Sequence, residues 1–221
     1  MNQGEVPLVE TQAEKPTRDS LARLISDIFN PLFLPPLIFL IIGWKTLASS
    51  HIFWVSTGIS LLCYTIIPLG IVFSLLNKGY ISSLDAPEHY TRKRLFSFCI
   101  SSSAIGSIIL FFVFKDINLF LANLTLIYLL NPIIGLLINL KWKMSIHAAS
   151  LAMAITILFY FIVMETYFSV TTVFYLSLCM LLLLLAMIWA RHHLKVHTFS
   201  ELLGGTVTGV MLTLLELGLI M

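Results

Sequence analysis

Charge is scarce in this chain. Of its 221 residues only 11% are Asp, Glu, Lys or Arg, where an ordinary soluble domain has about 25%. Hydrophobic residues make up 58%, and mean hydropathy is +0.97. A water-soluble fold cannot hide that much apolar surface, so the composition specifies an integral membrane protein. Cysteine is also sparse. Cys63, Cys99 and Cys179 all fall inside apolar runs, without metal-ligand spacing and odd in number. They read as buried thiols, not as a disulfide framework or a metal site. Aspartate occurs only as Asp19, Asp27, Asp85 and Asp116, none of them clustered. That argues against an intramembrane prenyltransferase, which needs paired Asp-rich motifs to hold Mg²⁺ on a diphosphate. The net charge is only +2, with the basic residues dispersed among short loops, so no nucleic-acid partner is expected. The first 30 residues mix acids with bases and lack a basic-then-apolar pattern, so no cleavable signal peptide is expected. No internal repeat stands out.

What is present is a series of membrane-length apolar segments. Residues 1–19 are polar and read as a flexible tail. From residue 20 to the end the chain reads as a single membrane-embedded domain. Leu21, Leu24, Ile25, Ile28 and Phe29 recur at helical spacing opposite Arg23 and Asp27. That pattern predicts a short amphipathic helix at the membrane surface, broken by Asn30-Pro31. Seven apolar segments follow at approximately 31–50, 52–77, 95–114, 117–139, 145–164, 168–190 and 198–220. Each is near the ~20 residues that cross a bilayer core. The first should bend or begin at Pro35-Pro36, and Gly204, Gly205 and Gly209 in the last permit close helix contact. The expected fold is all-α: a multi-pass transmembrane bundle of about six to seven spanning helices with a short N-terminal interfacial helix.

Counting spans places the tail and the loops at 78–94, 140–144 and 191–197 on one side. That side holds Lys15, Arg18, Arg23, Lys78, Arg92, Lys93, Arg94, Lys141, Lys143, Arg191 and Lys195; the other holds Lys45 and Lys115. The positive-inside rule assigns the richer side to the cytoplasm. The three loops can therefore converge on one site at one membrane surface. Polar residues gather there, while the midplanes look nearly charge-free and Glu216 is expected near the far interface. That distribution favours chemistry on a lipid headgroup over a transport site, which belongs near the midplane.

Two clusters carry the chemistry. In Arg191-His192-His193-Leu194-Lys195-Val196-His197-Thr198-Phe199-Ser200-Glu201, His197 and Glu201 are four residues apart and share a helix face. A carboxylate on one imidazole nitrogen fixes the tautomer and makes the other nitrogen more basic, which prepares a nucleophile. Arg191 offers a planar fork matched to phosphate oxygens. His192 and His193 point about 100° apart on a helix and are poor joint metal ligands; they read as interfacial. In Lys141-Trp142-Lys143-Met144-Ser145-Ile146-His147, Ser145 can cap a helix whose free N–H groups favour an anion, and His147 can act as a general acid. In the 78–94 loop, Arg92 or Arg94 can bind phosphate. Taken singly, each residue also has a plainer account: positive-inside cations, an N-cap serine, interfacial histidines. It is their placement on one side that favours a site.

These residues resemble the type 2 phosphatidic acid phosphatases, whose fold is shared with vanadium haloperoxidases and whose motifs are Lys-x6-Arg-Pro, Pro-Ser-Gly-His and Ser-Arg-x5-His-x3-Asp. Arg191-x5-His197-x3-Glu201 is similar to the third, Met144-Ser145-Ile146-His147 to the second, and Arg92 to the arginine of the first. Asp27-Ile28-Phe29-Asn30-Pro31 resembles the start of some bacterial members. The likeness spans residues 25–215 and is fullest in the third motif. The chain departs from the pattern at Asp85 (lysine in the family), Lys93 (proline), Met144 and Ile146 (proline and glycine), Ala190 (serine) and Glu201 (aspartate). Lys143, Arg94 or His89 can stand in for the missing lysine. The resemblance implies a phosphatase without metal or cofactor, acting on a lipid or isoprenyl phosphate or diphosphate in a bacterial inner membrane. It implies His197 as nucleophile, Glu201 as its orienting carboxylate and His147 as proton donor to the leaving group. Arg92, Arg191 and Ser145 would hold the phosphoryl oxygens, with Lys143 and Arg94 in support. Phosphotransfer to an acceptor other than water, or a non-catalytic lipid-binding or transport role, are the alternatives.

Overall fold

The structure, a computed structural model, describes residues 18–47, 50–80, 89–164 and 168–220, with the side chains of 89–95 outside the description. The described residues form eight helices and no strand. They are α1 (Arg18–Ile28), α2 (Leu34–Leu47), α3 (His51–Asn77), α4 (His89–Phe114), α5 (Leu119–Asn139), α6 (Ile146–Met164), α7 (Val170–His193) and α8 (Phe199–Ile220). Six of them, α3 to α8, contain stretches long and apolar enough to cross a membrane. The protein is a multi-pass, all-α membrane bundle.

The first expected span is shorter than its apolar run. Asn30 accepts from the Leu32 N–H through Oδ1 (3.0 Å) and from the Phe33 N–H through its carbonyl (2.9 Å). This turn postpones the helix to Leu34. Pro35 and Pro36 then fall in the first turn, where a missing N–H costs nothing. The resulting 14 residues reach about 21 Å at 1.5 Å per residue, short of a ~30 Å hydrocarbon core. The Leu32 carbonyl accepts from Thr65 Oγ1, and Thr65 stands near the middle of α3. The chain thus dips in from the α1 side, breaks at mid-depth and completes the crossing as α2. α4 differs in the other direction. It begins at His89 rather than near 95, because hydropathy marks where a helix enters lipid and not where its hydrogen bonding starts.

α1 is amphipathic as expected, but its two faces have different partners. Ala22 and Ser26 are buried against α7, while Leu21, Leu24 and Ile28 are exposed; in a bilayer those three meet lipid. The core packs around Phe39, whose ring lies 5.5 to 6.1 Å from those of Tyr128, Tyr64 and Phe114. α7 is the least buried span, with Phe174, Leu181 and Leu185 turned outward.

The contact that positions the site is α6 against α8. Gly205 and Gly209 are one turn apart on α8 and face Ser145 and Ala149, one turn apart at the start of α6. A Cβ at either glycine would collide with the carbonyl oxygen of Ser145 or Ala149. Small residues on both helices let the backbones approach this closely. Gly204, beside them, lies under the Trp142 ring, which a Cβ would also strike. At the opposite end of the bundle, Asn123 Nδ2 donates to the Ile220 carbonyl (2.7 Å), tying the start of α5 to the end of α8.

Candidate active site

The starts of α6 and α8 and the ends of α5 and α7 meet at one end of the bundle. The Ser145 N–H donates to the Glu201 carbonyl (3.0 Å), and Lys143 Nζ donates to the Val196 carbonyl (3.1 Å). The link between α7 and α8 is pinned by a Schellman motif, in which the Lys195 N–H bonds the His192 carbonyl (2.9 Å) and the Val196 N–H the Arg191 carbonyl (3.3 Å). Lys195 occupies the left-handed position at φ 56°, usually a glycine's place. This turn sets His197 two residues before the start of α8.

His197 Nδ1 donates to Glu201 Oε2 (2.9 Å), and the Thr198 N–H donates to the same oxygen (3.1 Å). The two side chains are only 10% and 16% exposed. The i,i+4 spacing thus becomes an oriented pair with Nε2 left to carry the lone pair. Burial pushes the imidazole of His197 below its ordinary range. The Glu201 hydrogen bond and charge oppose that shift, and the charges of Arg191 and Lys143 add to it. The ring is therefore held neutral to lower pH than a free histidine.

Arg191 is buried in the last turn of α7, at 5% exposure, and its Nη1 donates to Ser26 Oγ (3.0 Å). Ser26 was not anticipated. It is one of two serines on a surface helix, and only the packing of α1 on α7 brings it to the guanidinium. Arg191, His197, His147 and Lys143 all line one cavity of about 280 Å³.

Four of the expected residues therefore share the cavity, and Glu201 stands behind His197. Ser145 does not join them. It is fully buried, its Oγ accepts the Ala148 N–H (3.4 Å) as a cap of α6, and it faces the α6–α8 seam instead of the cavity. Its carbonyl meets Gly205 in the tight helix contact, while its hydroxyl is spent on the helix cap. Arg92 and Arg94 fall on the first turns of α4, a few residues before Phe96, which lines the cavity. Their side chains, like Asp85 and the rest of 81–88, lie outside the described residues. His193 turns away from the cavity, bonding Asp19 (2.8 Å) and stacking on Trp189, and His192 is exposed. Among the described residues no group of three His, Cys, Asp or Glu side chains could hold a metal ion.

No family model, no curated protein and no solved structure matches the chain.

Proposed function

We propose that the protein is a membrane-integrated phosphatase of the type 2 phosphatidic acid phosphatase kind, hydrolysing a lipid or isoprenyl phosphate or diphosphate. The observation that carries this reading is the oriented His197–Glu201 pair opening onto a cavity shared with Arg191, Lys143 and His147. Such a set binds a tetrahedral anion, presents a neutral nitrogen to phosphorus and keeps a second imidazole within reach for proton transfer.

In the first step His197 Nε2 attacks phosphorus and the bond to the leaving oxygen breaks. His147 passes to that oxygen the proton that the phosphate monoanion brings into the site. Arg191 and Lys143 stabilise the charge spread over the equatorial phosphoryl oxygens. Glu201 holds the imidazolium that forms. In the second step a water attacks the phosphohistidine, His147 takes its proton, the P–N bond breaks and phosphate leaves. Arg92 is assigned to the same phosphate by resemblance, with Arg94 standing in for the family's missing lysine. The substrate's tail remains among apolar residues such as Leu69, Val72 and Phe96 of the cavity wall. The bias of basic residues toward the loops on the site's side supports a cytoplasmic-facing site, and the resemblance suggests a bacterial inner membrane.

The test is phosphate release by purified protein in EDTA. The panel comprises phosphatidic acid, phosphatidylglycerol phosphate and isoprenyl mono- and diphosphates. Release lost in both His197→Ala and Arg191→Ala is the expected result. No release from any lipid by folded protein contradicts hydrolysis and leaves phosphotransfer or binding.

A further inference from the structure

A hydroxyl in a spanning helix commonly satisfies itself on its own backbone. On α6 Thr156 Oγ1 donates to the Ala152 carbonyl (2.8 Å), and on α8 Thr206 Oγ1 donates to the Leu202 carbonyl (3.0 Å). Ser103, which lines the cavity from α4, donates to the Cys99 carbonyl (2.9 Å). Ser150 on α6 and Thr208 on α8 are different. Both line the cavity that holds Arg191, His147 and His197, and both are only partly buried. Neither hydroxyl has a hydrogen-bond partner among the described residues. Ser60 and Thr213 are unpaired too, but they are sealed at 0% exposure and do not line the cavity.

Register brings the two hydroxyls to one part of the wall. Gly205 meets the Ser145 carbonyl and Gly209 the Ala149 carbonyl, so α6 and α8 run side by side in the same direction. Thr208 therefore stands at a level between His147 and Ser150. At 3.6 residues per turn, Ser150 and Thr208 also fall on the same side of the α6–α8 seam. Ser150 is three residues past His147, which places it on a neighbouring part of the same face about 4.5 Å deeper. The charged residues of the wall, Lys143 and Arg191, sit at its outer end, just before α6 and in the last turn of α7. Past the hydroxyls both helices present apolar side chains, Met153 and Leu212.

We propose that Ser150 and Thr208 are specificity-determining residues that donate to the two ester carbonyls of an acylglycerol phosphate, one hydroxyl to each. The esters join a phosphorylated glycerol to its tails, so they fall between phosphate and hydrocarbon, where these hydroxyls stand. The donors are neutral and have no Lys or Arg at their level, which suits an uncharged acceptor and not a second phosphate. An isoprenyl chain has only carbon at this level and leaves both hydroxyls unpaired. A site built to hydrogen-bond a group discriminates against the analogue that lacks it. The carbonyl subsite rests on the phosphatase reading of the outer end, which sets the level of the glycerol.

The test compares two phosphonates, in which carbon replaces the bridging oxygen so that no turnover occurs. One is the diacyl analogue of phosphatidic acid; the other is its dialkyl ether, which lacks only the two carbonyls. Binding to full-length protein is measured in dodecyl maltoside micelles, which supply no competing ester. Wild type should bind the diacyl probe about tenfold more tightly. The Ser150→Ala/Thr208→Val double variant should bring the two probes within about twofold, with each single variant between. Neither substitution removes a bond made within the protein, and an unchanged thermal midpoint verifies the fold. Equal binding by wild type, binding of neither probe, or a preference that survives in the double variant overturns the subsite. Phosphate release from phosphatidic acid is scored separately. Release accompanied by equal binding keeps the phosphatase reading and sinks the subsite. A diacyl preference that vanishes in the double variant, without release from any lipid, contradicts the phosphatase reading and leaves the subsite standing.

Discussion

At the scale of single residues, the account turns on the environment of His197. A nucleophilic imidazole must be neutral, and burial holds His197 below its ordinary range. The acid limb of kcat/KM should therefore lie below the ~6.5 of a free histidine. Glu201 opposes the shift, so Glu201→Gln should move the limb to still lower pH while cutting the rate roughly 10²-fold or more. Lys143 lowers the value, so Lys143→Gln should move the limb upward. A pH–rate profile of the three proteins checks all three signs, and a limb that stays put in both variants contradicts the assignment. Ser26 gives a second prediction at this scale. It touches Arg191 and not the reacting atoms, so Ser26→Ala should raise KM severalfold and leave kcat within about twofold, with Ser26→Thr restoring KM. The His197–Glu201 pair was legible from its four-residue spacing, but not for the helix-face reason: His197 lies just before α8, and Glu201 reaches back to it and to the Thr198 N–H from the first turn. Ser26 was not, because its partner is far away in the sequence and nothing local distinguishes it from Ser20.

Among the elements, the α6–α8 contact decides whether a site exists. Gly205 and Gly209 let α8 approach until the Glu201 carbonyl bonds the Ser145 N–H. Gly209→Ala should push α6 away, lower the thermal midpoint of the solubilised protein and reduce activity more than the loss of folded protein explains. Gly58 and Gly70 on α3 have open space where a Cβ would go. Alanine at either should be neutral or stabilising, by up to about 1 kcal/mol. Thermal unfolding of the three variants checks this; equal effects would mean that the close approach is unimportant. The glycines were visible in the sequence as small residues permitting contact, but not the partner they contact. The shortness of α2 was hidden for a different reason. Hydropathy runs unbroken through 31–50, whereas the Asn30 turn and the two prolines determine where backbone hydrogen bonding can begin.

For the whole molecule, topology follows from the spans. The ends of α3, α5 and α7 and the starts of α4, α6 and α8 share one side, as the loop count required. Composition and apolar length were enough to specify an all-α multi-pass bundle, since lipid leaves the backbone few other options. The inner Asn131–Glu216 hydrogen bond escaped that reading. The two residues are 85 apart, and Glu216 turns inward to its partner. With Cys63, Cys99 and Cys179 changed to alanine, cysteines placed at Lys141 and Lys195 should react with an impermeant maleimide only from the cytoplasmic face. One at Lys115 should react only from the other. Labelling of all three from the same face contradicts the topology.

The central claim is that His197 becomes covalently phosphorylated. Protein quenched during turnover under basic conditions, where phosphohistidine survives, can be digested and sequenced by mass spectrometry. The account predicts a phosphoryl group on His197 in wild type, none in His197→Ala, and a loss of phosphate release in that variant of roughly 10⁴-fold or more. Phosphate release that continues at the wild-type rate in His197→Ala would contradict it.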